Sequence, residues 1–132
     1  MKRITITGNL GKDAECREGQ GGHKFVSFSV AYAERDTDAK DEQGNPIKEA
    51  QWAECEIYVK PENSAEGIVN LLKKGRFIYV EAYDKVEAWL DKENKPRARV
   101  IYRVTNFQVR PYEHRRPLRR RCFQSLSISV KN

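Results

Sequence analysis

Residues 51–82, QWAECEIYVKPENSAEGIVNLLKKGRFIYVEA, lay a strand, a short helix and a second strand end to end. From Trp52 to Val59 the side chains alternate, with Ala53, Cys55, Ile57 and Val59 on one side and Trp52, Glu54, Glu56 and Tyr58 on the other. That period of two marks a strand with one buried face, and it leaves two aromatic rings on the polar side. Asn63 and Glu66 have the spacing of an N-cap and its partner. Ile68, Leu71 and Leu72 then form an apolar stripe, and Gly75 supplies a stop, which predicts one helix over Ser64 to Lys74. Beyond the glycine, Ile78, Val80 and Ala82 alternate against Phe77, Tyr79 and Glu81, a second strand.

The same period recurs on both sides of this stretch. Upstream, Ile4 and Ile6 alternate with polar neighbours, and Val26, Phe28 and Val30 alternate with Ser27 and Ser29. Between Ala33 and Ala50, ERDTDAKDEQGNPIKE is polar and contains Gly-Asn-Pro, predicting a long loop or the mobile tip of a hairpin. Downstream, Tyr83, Lys85, Glu87 and Trp89 oppose Asp84, Val86, Ala88 and Leu90. DKENKP forms a hairpin turn, and the return strand to Val109 sets Arg97, Arg99 and Arg103 against Ala98, Val100, Tyr102 and Val104. Phe25, Phe28, Phe77 and Phe107 are assigned to the core or an interface. The order is strand, strand, strand, helix, strand, strand. An all-β chain with one short helix between its third and fourth strands has the arrangement of a five-stranded OB-fold barrel.

The 132 residues and 39% hydrophobic content suffice for one modest core. The net charge of +6 is unevenly placed: residues 1–110 hold 19 Lys and Arg against 18 Asp and Glu, or +1, and residues 111–132 hold 6 against 1, or +5. This divides the chain into a domain over 1–110 and a basic tail over 111–132, whose Arg115–Arg121 run suits extra nucleic-acid contact, the favoured reading, an electrostatic tether to acidic partners, or a disordered solvated tail. The tail ends in an alternating LSISV that can pair as an extra strand or stay disordered. Residues 34–56 carry 3 basic and 8 acidic side chains, an acidic segment within an otherwise basic domain.

Cys16, Cys55 and Cys122 are odd in number and far apart, which supports free thiols rather than a disulfide framework or a zinc site. His23 and His114 are isolated in the sequence, so no nucleophile and base pair suggests an enzyme, and no cofactor is implied. The N-terminal MKRITITGNL lacks the apolar core of a secretory signal and no run is long enough to span a bilayer. A cytoplasmic protein is the expectation.

Five segments read together, GNLGKDAECR (8–17), FVSFSVAYAE (25–34), QWAECEIYVK (51–60), LLKKGRFIYVEA (71–82) and the hairpin from Trp89 to Arg97, resemble the bacterial single-stranded DNA-binding proteins. The resemblance runs in order over residues 1–110. It implies an OB fold, assembly as a homotetramer (a dimer being the alternative), and a role in DNA replication, recombination or repair. By position it also implies that Trp52 and Tyr58 are the two stacking aromatics of the third strand and Trp89 the one in the hairpin. The tryptophan usual in that family after the second strand has no counterpart at Glu34, Arg35 or Asp36. Glu54 and Glu56 stand where the family carries basic or neutral residues, and the acidic C-terminal tip that docks partner enzymes is replaced by the arginine cluster and ISVKN. Partner recruitment through such a tip is not supported.

Binding without regard to sequence needs flat π-surfaces for any base and cations along the backbone track. Trp52, Tyr58 and Trp89 are the predicted stacking residues. Lys85, which shares a strand face with Trp89, and Arg97 and Arg99 across the hairpin are the predicted phosphate contacts. Lys73 and Lys74 instead complement the helix C-terminus. Three competing readings stay open. One is an OB-shaped protein-interaction module with weak or no DNA affinity. Another is a metal-dependent nuclease built on Asp36, Asp38, Asp41 and Glu42. The third keeps the chemistry but binds single-stranded RNA or duplex DNA through the arginine tail.

Overall fold

A strand with one apolar face buries that face but leaves its backbone N–H and C=O groups to be satisfied by lateral partners. The computed structural model describes residues 1–111 and the backbone of 126–129, and in it this lateral pairing closes into a ring. The chain runs β1 (Ile4–Leu10), β2 (Glu15–Glu18), a 3-10 turn at Gln20–Gly22, β3 (Lys24–Lys40), β4 (Pro46–Val59), α1 (Glu66–Leu71), β5 (Phe77–Leu90), β6 (Pro96–Val109) and β7 (Leu126–Ser129). Antiparallel pairing joins β1 to β5, β5 to β6 and β4 to β3, while β6 meets β4 in parallel at Cys55–Tyr102 and Glu56–Arg103. The ring closes where Asn9 and Leu10 of β1 face Ala31 and Val30 of β3.

Those five strands, with α1 between the third and fourth, form the OB barrel that the element order predicts. Two strands are additions. β2 pairs along β3, and β7, from the alternating LSISV, pairs with β6 between Asn106 and Val109. The Arg115–Arg121 run, His114 and Cys122 lie outside the described residues.

The inward faces are the ones the alternation selects. Val26, Val30, Ile57, Ile78, Val80 and Phe107 are completely buried, with Phe28, Ala53, Cys55 and Ala82 nearly so. Near the end of β6 the phase changes: its register against β5 shifts between Glu81 and Ala82, and the Thr105 hydroxyl donates to the Glu81 carbonyl at 3.2 Å. This one-residue bulge turns Phe107 and Val109 inward where unbroken alternation would turn them out. Burial pushes the Cys55 thiol up to about 12, with the Glu54 charge adding to the effect, so it stays protonated and unreactive in the barrel wall. Cys16 is a free thiol on exposed β2.

The polar stretch after Ala33 is ordered as a hairpin arm, and only residues 41–45 form its tip. Opposite charges face each other across it: Arg35 meets Glu49 at 3.1 Å and Lys48 meets Glu34 at 3.9 Å. The Thr37 hydroxyl donates to the Ile47 carbonyl at 2.7 Å. Cross-strand pairs of this kind hold an arm that is wet on both faces, which is why it has no apolar periodicity.

Both hairpin tips use one device. Asp41 Oδ1 accepts the Gln43 and Asn45 amides at 3.0 and 2.9 Å, and Asp91 Oδ1 accepts those of Glu93 and Lys95 at 2.9 Å each. Gly44 and Asn94 take the left-handed conformation at the matching position, φ 81° and 60°.

The helix is shorter than its sequence pattern. It covers Glu66–Leu71 with Ala65 at the N-cap, and the Glu66 amide donates at 3.3 Å to Ser64 Oγ. Asn63 is therefore not the cap. Its own amide turns back to the Lys60 carbonyl at 2.9 Å, which places it in the preceding turn. Downstream, Gly75 at φ 82° donates to the Leu10 carbonyl at 2.8 Å, so this glycine ties the helix exit to the end of β1 as well as stopping the helix.

Candidate nucleic-acid interface

The outer face of β3, β4, β5 and β6 gathers side chains that are scattered through the sequence. Trp52, Glu54, Glu56 and Tyr58 of β4 lie in register with Ala31, Ser29, Ser27 and Phe25 of β3. Parallel pairing puts Arg103 beside Glu56. The β5–β6 hairpin adds Trp89 opposite Arg97, Glu87 opposite Arg99, Lys85 opposite Ile101 and Tyr83 opposite Arg103. All six predicted site residues, Trp52, Tyr58, Trp89, Lys85, Arg97 and Arg99, are thus carried on this one side of the sheet.

The rings differ in what they offer. Trp52 is 52% exposed and Trp89 47%, both far from the burial such large side chains usually reach. Trp52 is seated rather than loose. A Cβ built on Gly11, in the turn after β1, would collide with Cη2 and Cζ3 of the indole. Gly11→Ala is therefore expected to lift the ring from its seat while sparing the core. The expected result is about a tenfold loss of affinity for oligo-dT with little change in melting temperature, read by fluorescence titration and thermal denaturation.

Tyr58 is half-buried, and its hydroxyl lies 2.7 Å from His23 Nδ1. His23, isolated in the sequence, is thus brought against a predicted stacking residue. The Tyr58 ring also tilts against Phe25, with centroids 5.7 Å apart. Of the four phenylalanines assigned to the core or an interface, Phe25 is not in the core. Phe28 and Phe107 are buried, whereas Phe25 faces outward in phase with Ser27 and Ser29, under the Arg103 guanidinium at 5.0 Å. Phe77 is half-buried under Arg110 at 4.3 Å.

The predicted phosphate-binding cations are not waiting unpaired. Arg97 Nε is 3.0 Å from Asp91, and Lys85 Nζ is 3.9 Å from Glu87. Arg99 bridges Glu54 at 3.2 Å and Glu87 at 3.1 Å, and its guanidinium lies 5.6 Å over the Trp89 ring. Arg103 Nε is 3.3 Å from Glu56, without the alignment of a hydrogen bond. The pairs of Lys85, Arg97 and Arg99 are partly to largely exposed, so each is worth on the order of 0–1 kcal/mol and exchanges readily, whereas Arg103 and Glu56 are each only 20% exposed. Asp91 is held below the usual carboxylate range by the Lys95 amide and then by the Arg97 guanidinium, so the turn that presents Trp89 keeps its anion.

A groove across the middle of the face is lined by Lys12, Arg17, Ser27, Ser29, Glu54 and Arg99, among others. Ile101, 1% exposed, lies in its wall between Arg99 and Arg103. Among the described residues, Lys12 is the groove cation without a carboxylate at ion-pair distance. Sequence reading passed over Lys12 because a lysine in a turn carries no periodic signal. Phe25 and Arg103 did carry one, since each falls in phase with polar strand neighbours. Of the four carboxylates of the nuclease reading, Asp36 and Asp38 lie on the β3 arm, and Asp41 and Glu42 in its tip, where Asp41 organises the turn. Among the described residues, no three His, Cys, Asp or Glu side chains are grouped to hold a metal.

Comparison with known proteins bears on the family and the fold. A model of the family described as "Single-strand binding protein family" matches residues 1–110. The chain is 30% identical over 93 residues to the single-stranded DNA-binding protein 1 of Chlorobaculum tepidum, covering 70% of this chain and 54% of the relative. It is 33% identical over 97 residues to the protein of the same description in Xylella fastidiosa, covering 74% and 68%. The chain thus spans about half the length of the first of these relatives. Among solved structures, the Plasmodium falciparum SSB in complex with ssDNA superposes with a TM-score of 0.57 at 20% identity, over 78% of this chain and 85% of that one, a likeness of fold.

Proposed function

The chain belongs to the single-strand binding protein family, and from that premise we propose that it binds single-stranded DNA, without reading its sequence, along the outer face of β3 to β6. The observation that carries the proposal is the pair of tryptophans, Trp52 and Trp89, each about half exposed on the polar side of its strand. A ring left in water there contributes little to folding, whereas a base stacked on it contributes about 1–3 kcal/mol. In this reading Trp52, Tyr58 and Trp89 take bases, while Lys85, Arg97 and Arg99 exchange their carboxylates for phosphates. Residues 1–110 are the binding domain and 111–132 a basic tail that adds contact.

The biological role that fits is protection of single strands during replication, recombination or repair, with no catalytic step. Self-association, as a tetramer by family resemblance or as a dimer, is part of the proposal. It is supported by β1, which pairs with β3 only at Asn9 and Leu10 and leaves the rest of that edge open among the described residues. Cytoplasmic placement is likewise proposed; no helix among the described residues is long and apolar enough to cross a membrane.

The test is intrinsic tryptophan fluorescence during titration with oligo-dT at two salt concentrations. Strong quenching that weakens with salt is the expected result. The ion pairs on the face favour one competing reading, a protein-interaction module whose cations stay with their internal partners. That reading requires no quenching and no salt-dependent binding.

A further inference from the structure

A phosphate track needs accessible positive charge, yet the arginines of this face are already engaged by carboxylates. Glu54 and Glu56 are the two that β4 places between Trp52 and Tyr58, in the middle of the path. Glu54 holds Arg99 at 3.2 Å, and Glu56 holds Arg103 at 3.3 Å. A phosphate reaching Arg99 or Arg103 exchanges with an anion that remains tethered beside it and regains cations from solution, so the contact forms but adds less affinity than it would at an unpaired arginine. A base stacking on Trp52 meets no such competitor.

We infer that Glu54 and Glu56 are specificity-determining residues. They fill the arginine subsites with internal anions, so that affinity depends on unpaired bases and polyanions without bases to offer, duplex DNA among them, are held weakly. The inference rests on the single-strand reading of this face. Its logic is discrimination through an element that disfavours the wrong ligand rather than one that favours the right one.

The experiment titrates the full chain, Glu54→Gln, and the Glu54→Gln/Glu56→Gln double variant with oligo-dT, a duplex of equal length and inorganic polyphosphate, between about 50 and 200 mM salt. Wild type is expected to bind oligo-dT with a shallow salt dependence and the other two ligands weakly. Glu87 keeps its hold on Arg99 at 3.1 Å in both variants, so what they remove is local negative charge. In the double variant the log–log salt slope for oligo-dT should steepen by up to about 1.4, roughly 0.7 for each carboxylate charge removed, and that for duplex by up to about 1.8. Duplex and polyphosphate affinity should rise at least about tenfold at the lowest salt. Glu54 is 53% exposed, so the single variant keeps the fold and carries the test alone, with about half the change in slope. Slopes unchanged in both variants, with wild-type oligo-dT binding intact, overturn this inference and leave the single-strand reading standing. Wild type that binds duplex as tightly as oligo-dT also overturns it. Failure of wild type to bind oligo-dT removes the reading and the inference together.

Discussion

Trp52→Ala is expected to weaken oligo-dT binding by about 1–3 kcal/mol, roughly fivefold to more than a hundredfold, and to remove part of the quenching signal. The indole is 52% exposed and is seated over Gly11 in the turn after β1. Removing it deletes a stacking platform but opens no core cavity, so the melting temperature should move by no more than a few degrees. Trp89→Ala should act in the same direction from the β5–β6 hairpin, with an added loss because Arg99 no longer has the ring 5.6 Å beneath its guanidinium. The decisive comparison is between affinity and stability. Full affinity in both variants would assign the rings to a protein partner, and a loss of stability equal to the loss of affinity would make them packing residues.

A loss of the opposite kind is expected from Phe107→Ala. Phe107 heads the completely buried side chains and faces Val80 across the β5–β6 ladder, just past the bulge at Thr105. Truncating a buried phenylalanine removes its transfer free energy and leaves a cavity that strands on all sides of a closed barrel cannot collapse to fill. The cost should be about 3–5 kcal/mol, a large part of the roughly 5–15 kcal/mol that holds a domain of this size. Urea unfolding at constant slope measures it. Phe25→Ala is the internal control: half-buried on the outer face under Arg103, it should cost clearly less in the same assay. Equal losses at the two positions would return Phe25 to the core and remove it from the outer face.

The barrel was legible because its signal is local. Ala53, Cys55, Ile57 and Val59 alternate with Trp52, Glu54, Glu56 and Tyr58 within a single strand, and that pattern by itself separates core from surface. The turn chemistry of DEQGNP and DKENKP is equally local, since one aspartate carboxylate organises each tip. Even Phe25 was readable: its phase matches Ser27 and Ser29, and only the habit of burying phenylalanine argued otherwise. The polar arm after Ala33 is a harder case, because a hairpin wet on both faces has no apolar period. What reveals it is the register of Arg35 against Glu49.

The amino-acid sequence by itself determined which side of most strands is apolar, the turn at DKENKP, and that aromatic and basic side chains share a polar face, because these follow from periodicity and turn chemistry over a few residues. The phase of β6 past Thr105 followed from its bulge against β5. Tertiary structure decided who meets whom on that face. The parallel contact of β4 with β6 sets Arg103 beside Glu56, and the β5–β6 hairpin holds Arg99 between Glu54 and Glu87. The turn after β1 seats Trp52 on Gly11, and the β3–β4 register brings His23 near Tyr58. The physical reason is that period fixes orientation within a strand, whereas the pairing of charges and rings depends on register between strands far apart in the chain, which only the closed barrel sets.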